Sequence, residues 1–202
     1  MTTVILAVAA YLIGSVSFAV IVSRAVGLPD PRTYGSGNPG ATNVLRSGRK
    51  SAAVFTLLGD ALKGWVAVWI AARFAAPADA GLAMALAGAL SVIGHMYPVF
   101  HRFQGGKGVA TALGVLLGFN LYLALGAVST WIIIAVFFRI ASLASIIAAA
   151  FAPFATWMFY GFSHPFFASV MVVAVLLIYR HQTNIRNLLA GKESRLGQKA
   201  NS

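Results

Sequence analysis

The chain has 202 residues, of which 59% are apolar and 9% are charged, and its mean hydropathy of +0.84 excludes a soluble globular protein. Fifteen Lys and Arg residues against four Asp and Glu residues give a formal net charge of +11, which in so apolar a chain favours membrane lipids and phosphorylated substrates over nucleic acid. The sequence contains no cysteine, which excludes disulfides, thiol nucleophiles, cysteine zinc sites and lipidated cysteines.

The first apolar run covers residues 3–23 and has the length of a membrane span, because a bilayer core of about 30 Å requires roughly 20 apolar residues. It lacks the basic N-terminal stretch of a secretory signal, so we interpret it as an uncleaved helix. The loop that follows, from Arg24 to Lys50, is long for a compact protein, and loops of that length usually have a functional role.

The centre of this loop combines small residues with neutral hydrogen-bonding side chains and one cation. Its candidate anion ligands are Ser36, Gly37, Asn38, Thr42, Asn43 and Arg46. Gly35, Gly37 and Gly40 also match a dinucleotide-binding fingerprint, but no strand precedes them and Pro39 interrupts them, so we reject that interpretation. A turn that only caps the next helix is the alternative.

The second apolar run, residues 51–73, carries two charges, Asp60 and Lys63. Charges inside a membrane span usually indicate function. These two are three residues apart, so they share a helix face and can neutralise one another. Gly59 and Gly64 indicate close helix packing beside them, and we therefore interpret Asp60 and Lys63 as a structural pair.

The third run covers residues 81–100 and leads into a second polar cluster. His95 lies near its end, where an imidazole can bind phosphate, support a loop or exchange protons. Gly105, Gly106, Lys107 and Gly108 then open the next helix, and a helix N-terminus presents free N–H groups to an anion. The segment is not a nucleotide-triphosphate loop, because it lacks the first glycine and the magnesium-binding Ser or Thr. A flexible loop with a snorkelling lysine is the alternative.

The region from 108 to 138 is too long for one span and short for two, and we predict two short helices that turn near residues 118–120. Two further runs, 141–161 and 166–181, complete the predicted spans. Beyond them, His181 and Asn184 share a helix face at i and i+3 and can point toward the other polar loops. An ordinary solvated tail is the alternative.

With seven spans, every Lys and Arg except Lys63 and Arg73 falls on one side of the membrane, as the positive-inside rule expects of a cytoplasmic face. We therefore predict an all-α integral membrane protein whose residues 1–202 form one domain of seven transmembrane helices. Its N-terminus is expected to be periplasmic or extracellular and its C-terminus cytoplasmic. Topology signals alone would explain many of these charges.

Three polar clusters on the inner face indicate an enzyme or carrier that handles a phosphorylated metabolite. A transporter should also carry polar groups in the outer half of its bundle, and few are found there. An anion transporter or lipid-phosphate carrier is therefore the second interpretation, and a scaffold that recruits soluble lipid enzymes is the third.

The segments 35–43, 94–111 and 181–193 resemble the three cytoplasmic motifs of the bacterial PlsY family of acyl-phosphate:glycerol-3-phosphate acyltransferases. The resemblance implies a seven-span enzyme of phospholipid biosynthesis in the bacterial cytoplasmic membrane, with its active site on the cytoplasmic face. Such an enzyme transfers a fatty acyl group from acyl phosphate to the 1-hydroxyl of glycerol 3-phosphate, which gives lysophosphatidic acid and phosphate.

The resemblance also implies roles for individual residues. The catalytic positions are Ser36, Arg46, Lys107, His181 and Asn184, and the expected phosphate-binding positions are Gly37, Asn38, Thr42, Asn43, His95, Gly105, Gly106, Gly108 and Ser142. The implied partners are glycerol 3-phosphate, acyl phosphate and membrane lipids, with transient contact to a soluble acyl-phosphate synthase and no nucleic acid.

Acyl phosphate is already activated, so we expect the protein mainly to align two anions and offset their repulsion, with Arg46 and Lys107 as the main cations. The proton of the 1-hydroxyl would pass to a substrate phosphate in a direct attack. An acyl-enzyme on Ser36 is the rival. We expect no cofactor and no metal, because the inner loops lack the carboxylate cluster that magnesium needs.

Overall fold

The computed structural model describes residues 1–196, which fold into helices and connecting loops without a β-strand. The predicted all-helical class is therefore confirmed. The helices are α1 (Thr2–Gly14), α2 (Phe18–Ala25), α3 (Ala41–Leu45), α4 (Lys50–Phe74), α5 (Ala80–Met96), α6 (Val109–Phe119), α7 (Leu121–Phe138), α8 (Ala141–Tyr160), α9 (Pro165–Arg180) and α10 (Gln182–Leu189).

Five helical segments within the described residues are long and apolar enough to cross a membrane. They are Thr2–Ala25, Lys50–Phe74, Pro77–His101, Leu121–Phe138 and Ala141–Tyr160. Helices α9 and α10, which meet at an angle of 56°, would together make a sixth span. Helix α6 has 11 residues and spans about 16 Å, roughly half of a bilayer core.

The predicted turn between the fourth and fifth runs is confirmed at Asn120. Helix α6 ends at Phe119 and α7 begins at Leu121. Asn120 adopts an extended backbone, and its side-chain oxygen accepts a hydrogen bond from the Tyr122 amide over 2.8 Å. An Asn in this position caps the new helix by satisfying one of its free N–H groups.

The first run is interrupted between α1 and α2 at residues 15–17. The Ser15 hydroxyl donates to the Tyr11 carbonyl over 2.8 Å, a bond that satisfies the side chain locally. At the break, the carbonyl of Val16 accepts a hydrogen bond from the Lys63 ammonium over 2.6 Å. The interruption therefore supplies a backbone acceptor to a charge on α4.

Small residues bring the spans together. A Cβ at Gly14 would lie 2.0 Å from the Ser91 carbonyl oxygen, and one at Gly114 would lie 1.8 Å from that of Ala61. Such close backbone approach is a common way for helices to pack in a membrane, because apolar side chains gain little by exchanging contact with lipid for contact with another helix. These contacts join α1 to α5 and α4 to α6.

The buried core lies where α4 to α9 meet. The rings of Phe119 and Phe166 stack there with centroids 4.1 Å apart, and Val92, Val115 and Val170 belong to the same cluster. Large apolar side chains on the outer faces remain exposed, for example Val136 and Phe137 on α7, as expected for lipid-facing surfaces. The helices leave an opening at one end of this core, beside the polar loops.

Candidate active site

A cavity of about 810 Å³ joins the polar loops to the helical core. Its polar lining comes from four parts of the chain and includes Ser36, Asn38, Thr42, Asn43, Arg46, His95, Lys107, Gly108, Ser142, His181, Asn184 and Glu193. Of the residues predicted for the site, only Gly37, Gly105 and Gly106 do not line it. Segments far apart in the sequence therefore meet at one site.

Asn43 organises the first loop around Ser36. Its side-chain oxygen accepts from the Ser36 amide over 2.9 Å and from the Ser36 hydroxyl over 3.2 Å. Its side-chain nitrogen donates to the carbonyls of Pro31 at 2.7 Å and Tyr34 at 3.1 Å. Asn43 is buried, and its amide is used within the loop. In this structure it holds Ser36 at the cavity edge rather than offering a free ligand.

Arg46 follows the short helix α3 and contacts the segment after α10. Its guanidinium donates to the Ser194 hydroxyl over 2.8 Å. Two residues further on, the Leu196 amide donates to the Arg139 carbonyl over 2.6 Å. The segment 193–196 therefore lies along the cavity wall, between α3 and the start of α8.

The glycine-rich loop from Gly105 to Gly108 is fixed by Arg180. The Arg180 guanidinium donates to the carbonyl of Gly105 at 2.8 Å and to that of Gly106 at 3.2 Å. It also lies over the Tyr97 ring, 5.3 Å from the centroid. Because the loop carbonyls are turned toward this cation, the residues that follow can present N–H groups at the start of α6.

Three glycines in this loop cannot be replaced without strain, and a Cβ at Gly105 would lie 2.1 Å from the His95 carbonyl oxygen. Gly108 has φ +88°, a left-handed conformation that side chains with a Cβ rarely adopt. A Cβ at Gly106 would lie 2.2 Å from Nε2 of His95, well inside contact distance. The loop thus follows a path that only glycine permits at these positions.

Lys107 and Asn184 are joined directly, since the lysine ammonium donates to the Asn184 side-chain oxygen. The Asn184 nitrogen donates to the Glu193 carboxylate over 2.6 Å, and the Ser142 hydroxyl donates to the same carboxylate oxygen over 2.7 Å. Burial lowers the pKa of Lys107 below its usual value of 10.5, and the nearby Glu193 opposes that effect. This series of hydrogen bonds thus connects the starts of α6 and α8 with α10.

His181 lies where α9 gives way to α10 and is 2% exposed. Its Nδ1 is 2.7 Å from the Leu177 carbonyl oxygen. A carbonyl only accepts, so Nδ1 carries the hydrogen and Nε2 is the ring nitrogen left for a ligand. The bend between the two helices places His181 and Asn184 on the same cavity wall.

Two participants, Arg180 and Glu193, were not predicted from the sequence, and neither was the contact of His95 with Lys63. The sequence indicates only a topology role for Arg180, yet Arg180 holds the glycine-rich loop. Glu193 receives hydrogen bonds from two predicted site residues, and its position in the third motif was the available signal. His95 contacts Lys63, with Nδ1 and Nζ 2.9 Å apart. No spacing rule in the sequence relates Lys63 to His95, because the two residues belong to different spans.

The expected pair of Asp60 and Lys63 is confirmed, with Oδ1 and Nζ 2.9 Å apart and both side chains buried. Asp30, the other acid of the first loop region, pairs with Arg32 at 2.5 Å, and the hydrogen bond from Arg32 lowers the pKa of Asp30. The carboxylates that line the cavity within residues 1–196 are Asp60 and Glu193. Each is already engaged by a cation or by hydrogen-bond donors.

The remainder of the cavity is an apolar arm between α6, α7, α8 and α9. Its wall is made mostly of small and branched side chains, including Leu113, Leu116, Val128, Ala148, Ala149, Ala152, Val170 and Val173. Trp131 and Ser145 bridge α7 and α8 at this arm, with the indole nitrogen donating to the hydroxyl over 3.0 Å. One cavity therefore offers cations at one end and a hydrocarbon-like surface at the other. Among the described residues, no group of three or more His, Asp or Glu side chains is placed to hold a metal ion.

Comparison with known proteins gives a consistent result over almost the whole chain. Residues 4–191 match the family model described as glycerol-3-phosphate acyltransferase. The glycerol-3-phosphate acyltransferase of Ralstonia nicotianae is 61% identical over 201 residues, which cover 98% of this chain and 95% of that protein. The one of Cupriavidus taiwanensis is 60% identical over 204 residues, which cover 98% of each.

Two crystal structures of PlsY (YgiH), an integral membrane glycerol 3-phosphate acyltransferase, share the fold at 38% identity. The glycerol 3-phosphate form superposes with a TM-score of 0.90 and the lysophosphatidic acid form with 0.89, each covering 98% of this chain and 96% of PlsY. The chain therefore belongs to the glycerol-3-phosphate acyltransferase family and is a membrane enzyme of that class.

Proposed function

We propose that the acyl donor of this enzyme is acyl phosphate and that the acceptor is the 1-hydroxyl of glycerol 3-phosphate, so that the products are lysophosphatidic acid and phosphate. The observation that carries this proposal is the two-ended cavity, which joins Arg46 and Lys107 to an apolar arm between α6 and α9. A substrate with a phosphate head and a fatty chain fits both ends at once. The glycerol 3-phosphate and lysophosphatidic acid forms of the related PlsY support this acceptor and this lipid product.

In this proposal the phosphate of glycerol 3-phosphate lies at the glycine-rich loop, near Lys107 and the start of α6. The phosphate of the donor lies toward Ser36 and Arg46, and its acyl chain enters the apolar arm. Two cations on different segments then offset the repulsion between the two phosphates. His181 and Asn184 line the wall between these positions and orient the reacting groups.

The reaction is a direct attack. The 1-hydroxyl oxygen forms a bond to the acyl carbon, the bond between that carbon and the phosphate oxygen breaks, and phosphate leaves with the electron pair. The hydroxyl proton passes to a phosphate oxygen of one of the substrates. The environment of Ser36 supports this route, because its hydroxyl donates to the side-chain amide oxygen of Asn43, which is too weak a base to activate a nucleophile.

We further infer that the enzyme has seven spans, with α6 and α7 as the fourth and fifth, and that residues 1–202 act as one domain. The N-terminus would be periplasmic or extracellular, and the C-terminus and cavity mouth would be on the cytoplasmic face of the bacterial cytoplasmic membrane. The concentration of Lys and Arg in the loops around the cavity supports this orientation. A soluble acyl-phosphate synthase would deliver the donor on that side. Lys199, which belongs to the same set of charges, lies outside the described residues.

The test uses the purified protein in lipid vesicles with acyl phosphate and labelled glycerol 3-phosphate. Lysophosphatidic acid should form without any other protein, cofactor or added metal, and equal concentrations of acyl-CoA should give none. Product from acyl-CoA alone would overturn the proposed donor. Movement of labelled glycerol 3-phosphate into sealed vesicles without any product would instead indicate a carrier.

A further inference from the structure

We propose that Lys63 is a positioning residue that fixes His95 in one hydrogen-bonding state, so that the Nε2–H of His95 donates to the phosphate of glycerol 3-phosphate at the glycine-rich loop. The inference rests on the proposed function of the same cavity. It gives the charged pair inside α4 a specific task in substrate binding.

The pair and the histidine form a compact cluster between α4 and α5. Nζ of Lys63 is 2.9 Å from Oδ1 of Asp60 and 2.9 Å from Nδ1 of His95. It also donates to the carbonyl of Val16 over 2.6 Å. All three side chains are buried, with exposures of 2% for Asp60, 4% for Lys63 and 8% for His95.

The ammonium group of Lys63 donates to Val16 and to His95, and it forms an ion pair with Asp60. An ammonium only donates, so Nδ1 of His95 must accept. In a neutral imidazole the other nitrogen, Nε2, then carries the hydrogen. Nδ1 is 3.6 Å from the Asp60 carboxylate, farther than from Lys63, which favours this arrangement over a protonated imidazole paired with Asp60.

The Nε2 nitrogen is directed at the glycine-rich loop. It would lie 2.2 Å from a Cβ at Gly106, so it occupies the space beside that backbone. The loop is tied to the same residue, because the Gly106 amide donates to the His95 carbonyl over 3.1 Å. His95 and Asp60 both line the cavity. Within residues 1–196 the hydrogen bonds of His95 include none made by Nε2.

A donor beside Gly106, on a residue that lines the cavity, is suited to a phosphate oxygen. Hydrogen bonds to charged groups are worth more than neutral ones, and a donor held rigidly loses little entropy when the ligand arrives. The ammonium behind the imidazole polarises the ring toward donation, while Asp60 balances its charge. The alternative tautomer, with the hydrogen on Nδ1, would present a lone pair to the phosphate and repel it.

The first test compares His95→Gln with His95→Asn in the purified enzyme. A Gln side-chain nitrogen falls near the position of Nε2, whereas an Asn nitrogen falls near Nδ1. We expect the KM for glycerol 3-phosphate to be about tenfold higher or more in H95N than in H95Q, as for the loss of one hydrogen bond to a charged group. The KM for acyl phosphate should change little in either variant, and by the same factor in H95N as in H95Q. Equal KM values for glycerol 3-phosphate in the two variants would overturn the proposal.

The second test removes the cation. Lys63→Met alone would leave Asp60 as an unpaired buried charge and risks unfolding, so the variant is the neutral double change Asp60→Asn with Lys63→Met. In the wild-type background it should raise the KM for glycerol 3-phosphate about tenfold, since His95 is then free to change tautomer. In the H95Q background the same double change should raise the KM for glycerol 3-phosphate little further, because a Gln amide has no tautomer to fix.

An equal effect of the double change in both backgrounds would show that Lys63 acts through packing alone and would refute the inference. If the wild-type enzyme makes no lysophosphatidic acid from acyl phosphate, the proposed function has failed instead. The two failures are therefore distinguishable. Circular dichroism and the thermal midpoint of each variant identify any that do not fold.

Discussion

The hydroxyl of Ser142 donates to the carboxylate of Glu193 over 2.7 Å, which ties the start of α8 to the segment after α10. Glu193 accepts from Asn184 through the same oxygen. Asn184 in turn accepts from Lys107, so a single carboxylate orders two predicted site residues and indirectly a third. This relationship gives the third motif a structural explanation.

Glu193→Ala should therefore destabilise the enzyme and weaken catalysis. Loss of the two charge-assisted hydrogen bonds is expected to cost about 1.5–3 kcal/mol for each bond, and Lys107 loses a compensating charge. The thermal midpoint in detergent and kcat/KM for glycerol 3-phosphate measure the two effects. The exposed Lys192→Gln is the matched control from the same segment. A Glu193→Ala enzyme that equals this control in both measurements would contradict the assigned role.

Gly106→Ala should abolish most of the activity. The new methyl group would lie 2.2 Å from the His95 ring and would displace either the ring or the loop. We expect kcat/KM to fall at least about a hundredfold, as for misplaced substrate-orienting groups. Gly81→Ala, where no atom lies within 4 Å of the added Cβ, is the control and should retain wild-type rates. Equal rates in the two variants would argue against a fixed loop.

The pH dependence should reflect Lys107. Its pKa lies below the usual 10.5 because burial disfavours the ammonium. The charge is present below that pKa and is lost as pH rises through it, so kcat/KM should fall on the alkaline side, earlier than an ordinary lysine would require. Lys107→Arg keeps its charge over this range and should flatten the alkaline limb, at some cost in geometry. An unchanged alkaline limb in Lys107→Arg would assign it to another group.

Ser36→Ala should retain part of the activity. Asn43 holds Ser36 at the cavity edge, where we propose that Ser36 binds acyl phosphate, so its loss is expected to raise the KM for acyl phosphate about tenfold while kcat falls less. Initial rates with acyl phosphate varied at saturating glycerol 3-phosphate separate the two parameters. A drop of kcat to background would indicate a nucleophile instead. Ser47→Ala, whose hydroxyl donates to the Val44 carbonyl within the same loop, is a suitable control.

Much of the fold was predictable because hydropathy alone marks the spans. The turn at Asn120 could also be located, since the run from 108 to 138 was longer than a bilayer requires. The short length of α6, 11 residues, follows from the same turn and from the start of the run at 108. The 56° bend after Arg180 could not be predicted, because no proline or glycine marks it.

The site was predictable where local chemistry defined it. Glycines before a helix, and Ser, Asn and Arg in a long loop, indicate an anion site by themselves. The contacts that support these residues were not predictable, because they join distant segments. Arg180 lies more than seventy positions from the glycines that it holds, as its bonds to Gly105 and Gly106 show. Likewise, Lys63 and His95 meet only because α4 packs against α5.

The central claim is that one cavity holds both phosphorylated substrates at the same time and that the acyl group passes directly between them. Initial rates measured over a matrix of acyl phosphate and glycerol 3-phosphate concentrations test it most directly. Double-reciprocal lines should intersect, as expected when both substrates must be bound before product leaves. Parallel lines, the signature of an acyl-enzyme released before the second substrate binds, would contradict it.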